Sequence, residues 1–391
     1  MRKTKIERGI TLIALIITII VLLILAVVTI GSVKKNNIMG YAQNAATEYN
    51  KEKDKEESLL TGYEGMIEGA LEGLGKATVG KKVQANSTID GKMYSSKNPI
   101  IPAGFTPINI TGDNASSWTA ESGPETDKGL VIKDDDGNEF VWVPVTTTIA
   151  PYGIGGKVNE AREPDVTTGA NSYVVDSASG EKNDAVADNL KRAGCTKDLN
   201  SDGKINAFDF KQQLTAEFET MAESVNKYCG FYIGRYETSK NGENPQSKAS
   251  TAEKEIVTAY NSSKDNDWYG LYALNKKFTT TSVQGSMIWG NQYQAMISWI
   301  GKEKAESNIE NKKNLLRTCG TASEDVVNNI YDLYGNSKEW TMEAYNLYYR
   351  VHRGGDYEES NTSTPSSRDV TTWPTNTYGQ IGSRLALYIK N

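Results

Sequence analysis

Histidine is almost missing from this 391-residue chain, with His352 its single example. Every mechanism needing two imidazoles is thereby excluded, and a Ser/His/Asp arrangement would depend on that one residue. Cysteine is scarce too: Cys195, Cys229 and Cys319 stand at scattered spacings. An odd count without a repeated spacing is not a disulfide framework, and the lack of a CxxC pair removes the usual zinc signature. The three read either as one bridge plus a free thiol or as buried small hydrophobes. No run of five basic residues occurs and the formal net charge is −6, which argues against nucleic acid as a partner. Phenylalanine and tryptophan number 7 each, whereas tyrosine reaches 21. Tyr set among Ser, Thr and Asn suits an adaptable contact surface.

One stretch breaks the polar texture. From Ile10 to Ile30 there is no charge, and the polar groups are Thr11, Thr18 and Thr29. A helix of that length spans about 30 Å, one bilayer core. Arg2, Lys3, Lys5 and Arg8 precede it and hold that end in the cytoplasm. The expectation is a single-pass protein of the cell membrane, in contact with lipid through residues 10–30, with its C-terminal domain outside.

Beyond it, residues 31–74 keep helix formers, with a solvated charged run at Lys51 to Glu57. Residues 75–99 are rich in Gly, Ser, Lys and Asn and read as a linker. From Ile100 short apolar runs are bounded by Gly, Asn, Asp and Pro. The segment GLVIKDDDGNEFVWVPV predicts a hairpin, with strands ending near Ile132 and running from Phe140 to Val145. GFYIGRYE at Gly230 predicts a strand whose Phe231, Ile233 and Arg235 alternate with Tyr232 and Tyr236. Met287, Trp289, Tyr293, Met296 and Ile300 fall near helical spacing, as core residues do.

DLNSDGKINAFDF is the sharpest chemical signal. Counted from Asp198, oxygen-bearing side chains fall at positions one (Asp198), three (Asn200), five (Asp202), nine (Asn206) and twelve (Asp209). Gly203 sits at six, where the chain must turn sharply, and Lys204 at seven offers its carbonyl. This is EF-hand spacing, because a hard cation gathers six to eight oxygens around one centre. The expected cofactor is Ca2+. Position twelve is Asp rather than Glu, which resembles a dockerin loop, and helical patterns flank it, so a helical insertion is expected at about 183–226.

Two family resemblances follow from quoted residues. The basic leader, Gly9 and then Ile10-Thr11-Leu12-Ile13 resemble the processing site of type IV pilins and pseudopilins. That implies a leader of residues 1–9, a prepilin peptidase cutting between Gly9 and Ile10, methylation of the new terminus, a membrane and assembly helix with its stalk over 10–74, and other pilin-like subunits as partners. The family places glutamate fifth in the mature chain, where this sequence has Ala14.

FVWVPV at 140–145, GFYIGRYE at 230–237, YDLYGNSKEWT at 331–341, RVHRGGDY at 350–357 and IGSRLALYI at 381–389 resemble the formylglycine-generating enzyme, or sulfatase-modifying factor, family. The resemblance implies a C-type-lectin-like domain over 100–391 and an α+β chain overall, led by a long transmembrane helix. It also implies that Asn336 and Glu339 help to hold a structural calcium. Oxygen-activating members of that family use two late cysteines and iron-using relatives a histidine cluster. No cysteine follows Cys319 and His352 stands alone, so no catalytic residue is assigned. Between Asp356 and Gln380, 16 of 25 residues are Asp, Tyr, Ser, Thr or Asn. The same fold carries variable proteins of diversity-generating retroelements, whose variable segment precedes a similar last strand.

The expected function is a pilin-like bacterial surface protein displaying a non-catalytic, lectin-like domain for an extracellular ligand. The expected contacts are Tyr345, Tyr348, Asp356, Tyr357, Trp373, Asn376 and Tyr378. The alternatives are a structural minor pilin and a metal-dependent oxidase.

Overall fold

The computed structural model describes residues 74–108, 129–145, 183–199, 201–249, 266–301, 316–320, 326–333, 335–344, 349–358, 364–376 and 378–390, besides a few isolated positions. The chain divides into two units, Met1–Gly65 and Met66–Asn391, and every element below belongs to the second.

Strands β1 (Gly75–Lys76) and β2 (Ser87–Thr88) pair in parallel, and β3 (Thr106–Ile108), β4 (Val131–Lys133) and β5 (Glu139–Pro144) form an antiparallel meander. Helices α1 (Asn183–Arg192) and α2 (Ala207–Tyr228) follow, then β6 (Gly230–Gly234) and a hairpin of β7 (Ser239–Asn241) with β8 (Asn244–Gln246). Next come α3 (Trp268–Lys276), β9 (Val283–Met287) and α4 (Gly290–Ile300). The last part holds the hairpin β10 (Val326–Val327) and β11 (Ile330–Tyr331), then β12 (Lys338–Ala344), β13 (Arg350–Arg353), β14 (Arg368–Thr372), β15 (Ile381–Ser383) and β16 (Leu385–Ile389).

This corrects the expected α+β architecture led by a transmembrane helix. Sheets dominate the described residues, helices are few, and no helix among those residues is long and apolar enough to cross a membrane. The single-pass anchor and the membrane localisation built on it therefore find no support among the described residues. Apart from isolated positions, Ile10 to Ile30 lie outside the described residues, as do Gly9 and Ile10 of the expected processing site.

A six-stranded sheet in the order β3-β4-β5-β6-β16-β9 forms the centre, with the chain's last strand inserted between β6 and β9. A four-stranded sheet runs β14-β13-β12-β15, with β12 and β15 parallel. Both faces of the larger sheet are covered, and alternation sorts the side chains between them. Phe231, Ile233, Val141, Val143 and Ala386 enter one core with α2, α3 and α4. Tyr232, Phe140, Trp142, Leu385 and Leu387 enter the other. Full burial of each large side chain contributes about 1.5–3 kcal/mol.

The expected hairpin forms, with Val131 opposite Val141 and Lys133 opposite Glu139. Gly230 allows a close approach there: a Cβ would stand 2.2 Å from Trp142 Cζ2 and 2.6 Å from the Val143 carbonyl. Residues 75–99, expected as a linker, instead carry β1 and β2 and lay Ala77, Val83 and Ile89 into the second core. Their apolar residues are few but correctly spaced to pack beneath Ile100, Ile101 and Phe105. Helix α2 packs into the body of the fold. Its Phe210, Leu214, Phe218, Met221 and Val225 belong to the main core, and Ser224 exchanges hydrogen bonds with the backbone of Ile389.

Candidate metal centre and loop face

Where β6 runs out, Glu237 turns inward and is fully buried. Its Oε1 accepts the Ser337 amide at 2.9 Å, and Oε2 accepts from Asn336 Nδ2 at 2.6 Å and from the Cys319 thiol at 3.2 Å. Asp332 follows β11 with φ 57°, a left-handed backbone that a non-glycine residue adopts at some cost. That turn brings its carboxylate to the same place, where Oδ2 accepts the Gly320 amide at 2.9 Å. Ligand atoms of Glu237, Cys319 and Asp332 lie within 4.8 Å of one another, and all three residues are buried. The group has the donors and spacing to hold a metal ion.

Arg384 governs the electrostatics around it. Its Nε donates to Glu339 Oε1 at 2.7 Å, Nη1 to the Gly234 carbonyl at 3.0 Å and Nη2 to the Tyr331 carbonyl at 2.8 Å. Burial pushes the Glu237 carboxyl well above its ordinary range; the Asp332 charge adds to the push and Arg384 opposes it. Asp332 is also raised by burial, against the Gly320 amide and the Arg384 and Arg317 charges. The Cys319 thiol rises well above its usual value through burial and the Glu237 and Asp332 charges. All three cysteines are free, Cys195 and Cys319 buried and Cys229 half-buried. Cys319 packs in a small cluster with Tyr236 and also donates a hydrogen bond from its thiol.

The calcium carried over by resemblance to Asn336 and Glu339 meets residues with other partners. Asn336 accepts the Arg317 amide and donates to Glu237, while Glu339 grips Arg384.

In the loop between α1 and α2, Asp198 accepts the amides of Asp202 at 3.2 Å and Gly203 at 2.8 Å. Gly203 has φ 82°, the sharp turn expected at position six. Asp202 accepts the Lys204 amide and the Asn206 side-chain amide, each at 2.9 Å. Asn206 is the N-cap of α2 in a capping box with Asp209. Asp209 is fully buried and takes the amides of Leu199 and Asn206. Asn200 lies outside the described residues, and Lys204 is exposed.

Of the expected contact residues, Tyr345 and Tyr348 lie outside the described residues. Asp356 is buried, 3.3 Å from Lys338 Nζ, and Tyr357 is 9% exposed. Both serve the base of the loops rather than their rim. Trp373 and Asn376 are half-buried and Tyr378 is 52% exposed, with the Trp373 ring 5.3 Å from that of Tyr349. Beneath them the strands are pinned by buried charge. Glu343 accepts from Arg368 Nε at 2.6 Å and lies 3.5 Å from Arg353 Nη2. Tyr293 donates to the Pro365 carbonyl at 2.9 Å, and the Trp268 amide to that of Pro374 at 3.0 Å. His352 is buried, its Nε2 2.8 Å from Thr372 Oγ1 and its ring edge-on to Trp340.

The centre at Glu237, Cys319 and Asp332 was not legible as a site. Glu237 ends GFYIGRYE and Asp332 sits in YDLYGN, but no spacing ties either to Cys319.

No family model matches the chain, and no curated protein matches it. Among solved structures it is similar to Treponema denticola variable protein 1, at 14% identity over 66% of this chain and 86% of that one, with a TM-score of 0.21.

Proposed function

We propose that this chain is a non-catalytic ligand-binding protein whose contact surface is the loop face carried by β13 and β14. The observation that supports it is the contrast between base and rim. Glu343, Arg353, Arg368, Lys338 and Asp356 tie the strands and loop roots together in buried ion pairs, while Trp373, Asn376 and Tyr378 reach solvent. Rigid aromatic side chains among small polar residues give contact area at low entropic cost. The non-catalytic part draws support from His352, which is 2% exposed and bonded to Thr372. The double change Trp373→Ala/Tyr378→Ala should cost no more than about 1 kcal/mol of stability per residue. It should abolish binding to whichever members of an immobilised glycan and extracellular-protein panel capture the wild type. Undiminished capture by the folded double variant rejects the reading.

The loop from Asp198 to Asp209 takes Ca2+ on the same proposal. Supporting it, the chain already turns around Asp198, and Asp202 is hydrogen-bonded to Asn206. The bound ion would be held by these side chains and would clip α1 to α2. At a calcium concentration 100 times its dissociation constant the folded state gains about 2.7 kcal/mol. Wild type is expected to melt higher in calcium than in chelator, and Asp198→Ala to lose that difference. Identical wild-type melting in the two buffers rejects calcium.

A further inference from the structure

We propose that Glu237, Cys319 and Asp332 bind one thiophilic divalent cation of the zinc class, with Cys319 as its thiolate ligand. The inference stands apart from the loop-face reading and shares no residue with it.

Three observations carry it. First, the ligand atoms lie within 4.8 Å of one another although the residues come from three separate segments. Around a tetrahedral centre about 2.0–2.3 Å from each ligand, neighbouring donors stand roughly 3.6 Å apart. No pair of ligand atoms therefore has to close by more than about 1.2 Å. Second, Asp332 is 1% exposed, and among the described residues its Oδ1 has no hydrogen-bond partner. A buried carboxylate oxygen without a donor is costly, and a metal bond would satisfy it. Third, the acidic side chains outnumber the basic ones that face them. Glu237, Asp332 and Glu339 are buried together, opposed by Arg384 and, near Asp332, by Arg317. A divalent cation adds positive charge there.

Donor chemistry selects the ion. A hard cation such as calcium gathers six to eight oxygens, whereas a thiolate beside two carboxylates suits zinc or its analogues. On binding, the S–H bond of Cys319 gives way to a sulfur–metal bond and the proton leaves to solvent, as does any proton held by Glu237. The hydrogen bond from Cys319 to Glu237 is replaced by shared ligation. Because the ligands meet only in the folded chain, the ion stabilises the native state selectively.

The full chain, reduced and stripped with chelator, is titrated with Co2+ as the probe. The expected result is a sulfur-to-cobalt charge-transfer band in the near ultraviolet that saturates at one equivalent. Zn2+ should displace it and excess Ca2+ should not, which separates this centre from the all-oxygen loop at Asp198. Cys195→Ser and Cys229→Ser should keep the band, and folded Cys319→Ser should lose it. Should Cys319→Ser fail to fold, the isosteric Asp332→Asn keeps the thiol and is expected to weaken Co2+ at least about tenfold, since even outer-shell losses do so. Absence of the band in folded wild type overturns the proposal. So does a band that survives Cys319→Ser or vanishes with Cys195→Ser or Cys229→Ser, or an Asp332→Asn variant that binds Co2+ as tightly as wild type.

Discussion

Arg384→Ala is expected to destabilise the folded chain by about 3–5 kcal/mol, the loss typical of removing one partner from a buried ion pair. Arg384 is fully buried, and its guanidinium reaches Glu339, the Gly234 carbonyl and the Tyr331 carbonyl at once. It thereby ties β12 to the end of β6 and to β11. Truncation leaves Glu339, 2% exposed, as a buried carboxylate without its counter-charge, and takes one donor from each of two carbonyls. Arg384→Lys should lose nearly as much, because a single ammonium cannot reproduce a three-way fork. Chemical denaturation checks both. Lys277→Ala is the control: its bridge to Glu243 is exposed and should matter little. An Arg384→Ala midpoint close to that control would refute this account of the fold.

Trp340→Ala carries the second large effect, about 3–5 kcal/mol. The indole is fully buried in β12, opposite His352 on β13 and Ser383 on β15, so it packs where three strands of the smaller sheet meet. Its ring lies 5.2 Å from that of His352, edge to face, and Leu333 shares the same core. Removing it leaves a cavity that a sheet held by ladder bonds on both sides cannot collapse to fill. Thermal melting should fall far below that of Trp373→Ala, whose ring is half-buried at the rim. Equal losses would place Trp373 in the core and remove the distinction between base and rim.

The turn at Gly354 shows how a short motif could be read correctly yet incompletely. RVHRGGDY announces a place for close backbone approach. Gly354 does adopt φ 80°, where a Cβ would stand 3.2 Å from the Leu333 carbonyl. Nothing in the motif says that Asp356, two residues on, would be spent on Lys338, or that Tyr357 would turn inward. The aromatic and polar composition of the segment after Asp356 suggested a uniform contact surface, whereas packing splits it into a buried root and an exposed rim. Similarly, the texture of 75–99 looked like a linker because its apolar residues are sparse. Sparse residues still form a layer once Ile100, Ile101 and Phe105 supply the facing surface.

What the sequence determined by itself is local. Alternation in GFYIGRYE assigned side chains to the two faces of a strand, and the spacing from Asp198 to Asp209 placed a sharp turn between two helical segments. These follow from periods of two and 3.6 residues and from turn chemistry, which act within a few positions. The tertiary structure alone decided that Glu237 would meet Cys319, 82 residues away, and that Arg384 would reach Gly234 across 150 residues. Such meetings depend on how sheets close and which loops cross. A buried carboxylate, thiol or guanidinium takes its chemistry from those neighbours, because burial penalises its charge until one of them compensates it.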